Sequence, residues 1–318
     1  MKNFPGIAAA LLLGLAGGAR ADEGGVGFWL PGQMGSFSAL PGDTGWSLPL
    51  VYYHSAADAG ASKTFTIGGR VDAGLKARAD LFMLAPTYVF ASPVAGGQAS
   101  VGVTGLIGRV NVDINATLTG PGGGTLSGAR GDAVTGVGDL FPTGSLKWNR
   151  GVHNFMLYGM AGVPVGAYDK NQLANLGTNH WSLDGGGGYT YLDQKAGREF
   201  SAVLGFTKNF ENKDTSYKNG IDSHLDWAAS QFLNEQWHVG LVGYAYRQLT
   251  GDSGAGATLG DFKSQVTAVG PQAGYFFMVG DKKWYANLKG FYEFDAKNRP
   301  EGWNVWLTLA IPLGSGKN

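Results

Sequence analysis

The sequence predicts an all-β fold: a transmembrane antiparallel β-barrel of twelve strands, with an N-terminal segment plugging its lumen. Three observations predict it. Segments of period-two alternation run through most of the chain, the connections between them alternate long and short, and tryptophans gather at segment ends. Composition agrees, since the 318 residues include 54 Gly, 17 Phe, 13 Tyr and 9 Trp, while only 15% are charged. Typical chains carry about 7% Gly and about 25% charged residues. The absence of Cys excludes a disulfide scaffold, a Cys-ligated metal site and a thiol nucleophile. With 24 Lys+Arg against 24 Asp+Glu, the chain also lacks the electrostatic footprint that nucleic-acid binding needs.

In chain order, Lys2, the apolar stretch Ile7 to Ala19 and the small-x-small site Ala19-Arg20-Ala21 read as a secretory signal peptide, residues 1–21, cut after Ala21. The stretch is shorter than the ~20 apolar residues that span a bilayer. Residues 22–44 follow, with Gly-Phe-Trp-Leu-Pro-Gly at 27–32 and Leu-Pro-Gly at 40–42. Proline–glycine pairs punctuate turns rather than build a central strand. Phe28, Trp29, Leu30 and Phe37 nevertheless need a dry partner, so this segment is expected to fold into the barrel mouth or lumen as a partial plug. Residues 45–318 are expected to form the barrel.

Twelve strands are expected near 46–54, 75–91, 97–116, 134–148, 152–165, 180–192, 198–210, 220–233, 237–249, 262–279, 284–294 and 303–313. The last has Trp303, Val305, Leu307, Leu309, Ile311 and Leu313 on one face and Asn304, Trp306, Thr308, Ala310 and Pro312 on the other. The strand before it alternates Trp284, Ala286, Leu288, Gly290 and Tyr292 with Tyr285, Asn287, Lys289, Phe291 and Glu293. Leu225, Trp227 and Ala229 likewise oppose Asp222, His224, Asp226 and Ser230, and Leu140, Leu146 and Trp148 oppose Asp139, Thr143, Ser145 and Lys147. A soluble sandwich shows the same alternation.

The connections separate the two folds. Short ones are expected at Ser92 to Gly96, Asn149 to Gly151, Asp193 to Gly197, Asn234 to Gln236 and Gly280 to Lys283. Long ones are expected at Ser55 to Gly74, Thr117 to Ala133, Gly166 to Asn179, Glu211 to Asn219, Thr250 to Asp261 and Asp295 to Gly302. Sorting by parity is the habit of outer-membrane barrels, which have short periplasmic turns and longer extracellular loops. Trp46, Trp148, Trp237 and Trp284 fall at the short-turn ends and Trp181 and Trp303 at the long-loop ends, as two interfacial girdles would place them. Trp29, Trp227 and Trp306 do not follow this rule.

Sequence motifs for catalysis are missing: HExxH, GxSxG, GxGxxG and a Gly-rich loop followed by Lys-Ser/Thr do not occur. The run Gly185 to Gly188 lies inside an expected strand, where it permits a bend or the close approach of a plug. His54, His153, His180, His224 and His238 show no metal-ligand spacing, and no catalytic residue, metal or cofactor is expected. Alternative readings are an outer-membrane lipid hydrolase with a Ser–His site paired across strands, a structural barrel without a transport role, and a soluble exported β protein. The adjacent pairs His54/Ser55 and Ser223/His224 cannot serve a hydrolase, because neighbouring strand residues point to opposite faces.

Gly-Phe-Trp-Leu-Pro-Gly-Gln (27–33), Tyr52-Tyr53-His54, Ala85-Pro86-Thr87-Tyr88, Gly136-Val137-Gly138-Asp139-Leu140 with Trp148, and Asn304-Val305-Trp306-Leu307 together resemble the family named for the meta-cleavage pathway of phenol degradation. The likeness runs from Gly24 to Gly314. It implies an outer-membrane β-barrel acting as a channel or uptake protein for hydrophobic or aromatic compounds, and it brings no catalytic residues. The closing Leu313-Gly-Ser-Gly-Lys-Asn departs from the terminal aromatic that many such barrels present to the barrel-assembly machinery.

A twelve-stranded barrel is intermediate between small, side-chain-filled barrels and open porins. The expected mechanism is diffusion of one small ring-sized solute at a time past Phe28, Trp29, Leu30 and Phe37. The candidate lumen-lining residues are Asp139, Lys147, Asp222, His224, Asp226, Lys289 and Glu293. Their polar groups would hydrogen-bond a phenolic or carboxylate substituent while the plug aromatics contact the ring. Expected partners are the outer-membrane bilayer, the barrel-assembly machinery during insertion and the solute itself, with no nucleic acid.

Overall fold

The structure, a computed structural model, describes residues 27–64, 70–119, 123–257 and 263–314. The expected leader, its cleavage site after Ala21 and residues 22–26 lie outside the described residues. Thirteen strands and no helix occur among the described residues: β1 (Gly45–Thr64), β2 (Arg70–Leu84), β3 (Thr87–Val89), β4 (Gln98–Thr119), β5 (Thr125–Arg150), β6 (His153–Gly162), β7 (Ser182–Asp193), β8 (Arg198–Asn209), β9 (Ile221–Phe232), β10 (Trp237–Gln248), β11 (Gln265–Val279), β12 (Lys282–Lys297) and β13 (Glu301–Gly314). All pair antiparallel with their neighbours in one sheet, and β13 pairs with β1, from Trp46↔Gly314 to Asp58↔Glu301. The sheet is thus a closed twelve-stranded barrel plus one extra strand.

That extra strand splits the expected segment 75–91 at Ala85-Pro86. Proline has no N–H to give the ladder, and here it serves as an acceptor instead, taking a bond from Val103 N at 3.2 Å. After the break, β3 resumes between the start of β1 and β4, with Trp46↔Tyr88↔Val101 in register.

Three expected long connections are mostly strand. Ser55 to Gly74 belongs largely to the β1–β2 hairpin, Thr117 to Ala133 to the β4–β5 hairpin, and Asp295 to Gly302 to β12 and β13. The Gly-, Ala- and Ser-rich sequences of the first two give little hydropathy contrast, yet their backbones pair to Thr64↔Arg70 and Thr119↔Thr125. β5 has 26 residues, more than twice the ~9–11 that cross a bilayer. Beyond Asp58 and Thr143 the flanking strands β13 and β6 no longer pair, so β1, β2, β4 and β5 continue as a four-stranded wing above the rim. Among the described residues, the long connections are 163–181, 210–220 and the described parts of 249–264.

The alternation sorts the side chains cleanly. Outward residues form an apolar belt in which Leu157, Leu183, Leu204, Leu241, Leu288 and Leu307 are exposed, a surface that water would not tolerate but lipid would. Trp46, Trp181, Trp237 and Trp303 stand exposed at strand ends, whereas Trp29 and Trp306 are buried inside. Inward residues of β1, β2 and β4 (Tyr53, Ala79, Leu81, Met83, Leu106, Val110, Val112) make one apolar cluster with Tyr244, Phe291 and Trp306.

Candidate functional site

Residues 27–41 run along the inward-facing side chains of the barrel, and Gly42 and Asp43 are exposed at its short-turn end. Leu30-Pro31-Gly32-Gln33 forms a β-turn closed by Gln33 N to Leu30 O at 3.1 Å, with Gly32 at φ 87°. Proline at the second position and glycine at the third are what a type II turn requires. Gly32 has a second constraint: a Cβ there would stand 2.9 Å from Phe291 and 3.0 Å from Tyr244.

The turn is held between opposite charges. Gly32 N and Met34 N each donate to the Asp226 carboxylate at 3.0 Å. From β12, Lys289 Nζ donates to the carbonyls of Gly32 (2.6 Å) and Met34 (3.2 Å). Both side chains are buried, so hydrogen bonds to the charged forms are made where water cannot compete. Closer to the short-turn end, Ser36 Oγ donates to Glu199 Oε2 at 2.9 Å, Phe37 N to Ser201 Oγ at 3.0 Å, and Ala39 N to Thr190 Oγ1 at 3.1 Å. Gly42 exchanges two bonds with Gln98 at the start of β4.

The four aromatic and aliphatic residues expected in the plug each find a partner. Phe28 packs on Phe141, ring centroids 5.7 Å apart, and Trp29 stacks on His224 at 3.4 Å. Leu30 packs against the Tyr244–Phe291 cluster. Phe37, at φ 68°, sits among Phe232, His238, Phe276 and Tyr285.

Of the seven expected lining residues, the structure brings Asp226, Lys289 and His224 to the plug. Asp222 lies one turn of the alternation above His224, where its Oδ2 accepts from Asn209 at 2.8 Å. Glu293 accepts from Tyr244 Oη at 2.7 Å and from Gly302 N at 2.9 Å, toward the long-loop end. Asp139 is buried on β5 and anchors loop 163–181, accepting from Gly166 N, Thr178 N and Thr178 Oγ1 at 2.8–2.9 Å. Lys147 stands opposite Gln98 near the short-turn end, away from the others.

Sequence reasoning missed Asp184, Glu199, Ser201 and Tyr158. Asp184 Oδ2 lies 2.9 Å from His224 Nε2 and accepts from Thr207 Oγ1 at 2.6 Å. The signal was present in the alternation of β8, where Glu199, Ser201, Val203, Gly205 and Thr207 interleave with Phe200, Ala202, Leu204 and Phe206. The glycines of β7 have a more specific use than the expected bend or plug approach. A Cβ at Gly186 would stand 2.2 Å from the Leu204 carbonyl of β8 and 2.8 Å from Tyr158, and one at Gly188 would stand 2.9 Å from Met156, so Gly186 admits the β8 backbone and both receive wall side chains from β6.

Two features bear on other chemistry. Ser182 Oγ lies 3.3 Å from His180 Nδ1, but the hydroxyl donates to Asn209 Oδ1 and Nδ1 faces the Trp181 carbonyl, so this serine is not activated for attack. Two shallow grooves, around Phe200 and Leu241 and around Phe155 and Leu157, lie on the lipid-facing wall outside the interior site.

Among solved structures, the COG4313 outer membrane channel from Pseudomonas putida F1 is similar at TM-score 0.68 and 16% identity, over 86% of this chain and 98% of that one. A FadL homologue from Pseudomonas aeruginosa is similar at TM-score 0.45 and 9% identity, over 86% of this chain and 91% of that one. The first is a likeness of fold. Comparison with curated protein sequences finds no match. Residues 59–309 match the family described as "Putative MetA-pathway of phenol degradation", and the chain belongs to that family.

Proposed function

We propose that the protein is an outer-membrane channel through which small hydrophobic or aromatic compounds diffuse, past a lumen segment formed by residues 27–44. The observation that carries this reading is the division of the interior wall. An apolar stripe on β1, β2 and β4 runs from the wing into the bore, while the plug takes its polar contacts from β7, β8, β9, β11 and β12, apart from Gln98 at its short-turn end. A ring-sized solute moving along the stripe needs to break none of the charge-assisted bonds. A large hydrophilic solute finds no continuous polar track on that side. Family membership and the fold shared with an outer membrane channel support the same reading.

In this reading residues 1–21 are removed on export, the short turns face the periplasm, and loops 163–181, 210–220 and 249–264 face the outside. The test is deletion of residues 24–41 followed by planar-bilayer recording and liposome uptake of a panel of phenols, aromatic acids and alkanes. The barrel is expected to fold, with higher single-channel conductance and weaker discrimination among solutes. Unchanged conductance would place the segment outside the conducting path and end the lumen reading.

A further inference from the structure

Where Trp29 meets the wall, four buried polar atoms have no hydrogen-bond partner: Trp29 Nε1, Tyr158 Oη, Asp184 Oδ1 and His224 Nδ1. They surround one place. The indole lies flat on the His224 imidazole, at 3.4 Å and 18°, and its centroid is 6.2 Å from the Tyr158 ring. Tyr158 is close enough to the Asp184 carboxylate to interact with it, yet neither Tyr158 Oη nor Asp184 Oδ1 has a partner at full hydrogen-bonding geometry, and that carboxylate's other oxygen is occupied by His224 and Thr207. Glycine at 205 allows the approach. A Cβ there would stand 2.0 Å from Tyr158 Oη and 2.5 Å from His224 Cε1.

The indole therefore fits this place in shape and fails it in polarity. It supplies a flat ring for His224, but its single N–H meets no acceptor, and it offers nothing to a phenol hydroxyl and a carboxylate oxygen that burial makes costly to leave unpaired. A planar ring carrying a hydroxyl matches both requirements. It stacks as Trp29 does, its O–H donates to Asp184 Oδ1, and its oxygen accepts from Tyr158 Oη.

The way the plug is fastened makes exchange feasible. From Gly32 to Gly42 its backbone is bonded to Asp226, Lys289, Glu199, Ser201, Thr190 and Gln98. Before the Leu30-Pro31-Gly32-Gln33 turn, the described residues Gly27 to Leu30 are held to the wall by side-chain packing, with Phe28 and Trp29 as the anchors.

We propose that Trp29 is a built-in occupant of an aromatic-binding site formed by Tyr158, Asp184 and His224, and that a hydroxylated aromatic solute competes for this site and lifts the segment before the turn away from the wall. This rests on the channel reading above and names the chemistry of the solute that the interior favours. Solute and plug residue exclude one another, so the site is exposed only as Trp29 swings out on its proline–glycine hinge.

The experiment uses the full-length barrel in lipid nanodiscs, with phenol and its near-isostere toluene as probes and calorimetric titration as readout. Circular dichroism controls for folding. Trp29→Ala is expected to tighten phenol binding at least tenfold and toluene binding less than threefold. Adding Tyr158→Phe or Asp184→Asn to Trp29→Ala is expected to bring phenol down to the toluene affinity while toluene stays unchanged. Equal gains for the two probes, or none for phenol, would overturn the proposal. The channel reading is judged separately by uptake into liposomes. Phenol uptake without tighter binding in Trp29→Ala removes the site and keeps the channel. Tighter binding without uptake keeps the site and removes the channel.

Discussion

The interior wall has two arcs of opposite character. Along β1, β2 and β4 the inward residues are Tyr53, Leu81, Met83, Leu106, Val110 and Val112, and the strands run 20, 15 and 22 residues. Along β7, β8 and β9 the inward residues include Asp184, Thr190, Glu199, Ser201, Asp222, His224 and Asp226, on strands of 12 residues each. The first arc offers contacts without direction, which a solute sliding through the proposed channel would exchange at little cost. The second offers hydrogen bonds with direction, which fix the plug's position and facing. In the proposed channel, a single bore would separate the path from the lock by assigning them to different strands.

Four substitutions put this separation at risk, in descending order of expected effect. Leu81→Ala, at a fully buried position on the apolar arc, is expected to cost about 2–5 kcal/mol of barrel stability. Urea unfolding of the barrel in detergent should register it, with conductance altered less than by any lock substitution. Leu307→Arg, on the lipid face, is expected to cost about 2–4 kcal/mol near the midplane, seen as impaired insertion into vesicles. Tolerance of Arg there would mean that this face meets water.

On the opposite arc, Asp226→Asn removes the charge that receives Gly32 N and Met34 N. Bonds to charged groups contribute about 1.5–3 kcal/mol, so plug docking should weaken by a comparable amount while unfolding of the barrel stays where it was. Protease cleavage within residues 27–42 and the open-state fraction in bilayers are the readouts. The smallest effect is expected for Gly32→Ala. Left-handed backbone costs an L-residue about 1–2 kcal/mol, and the added methyl meets Phe291 and Tyr244. Its signature should match Asp226→Asn at reduced amplitude, and a signature like that of Leu81→Ala would erase the distinction between the arcs.

Strand order and facing are legible because β8 to β13 alternate bulky apolar residues with polar ones, as Leu225 does with His224 and Asp226. The wing is not, because Ala56 to Thr64 and Thr125 to Ala133 are built from small residues that mark neither face. Pro86 was in plain view, yet its effect depends on which neighbour needs an N–H, and that is decided by β1 and β4. For the interior, alternation places Asp226 and Lys289 inside the barrel. That they grip the same turn of an N-terminal segment depends on closure of the whole sheet, which no local pattern encodes. Asp184 and Glu199 carry the same periodic signal, obscured by the glycine run and the aromatics of their strands.

The clamp on the Leu30–Gln33 turn has a consequence for assembly. Gly32 is bonded to residues 194 and 257 positions away in the chain, Asp226 and Lys289. Contacts of such separation form late, since the loop between them must be closed before they give anything back. The segment that is synthesised before the rest of the barrel therefore reaches its place only after β9 and β12 have joined the sheet. Until then its amides and carbonyls are satisfied by solvent, and its aromatics lack the walls that shelter them. A chain halted before β12 would present that segment unsheltered, as an apolar handle for whatever holds unfinished barrels soluble.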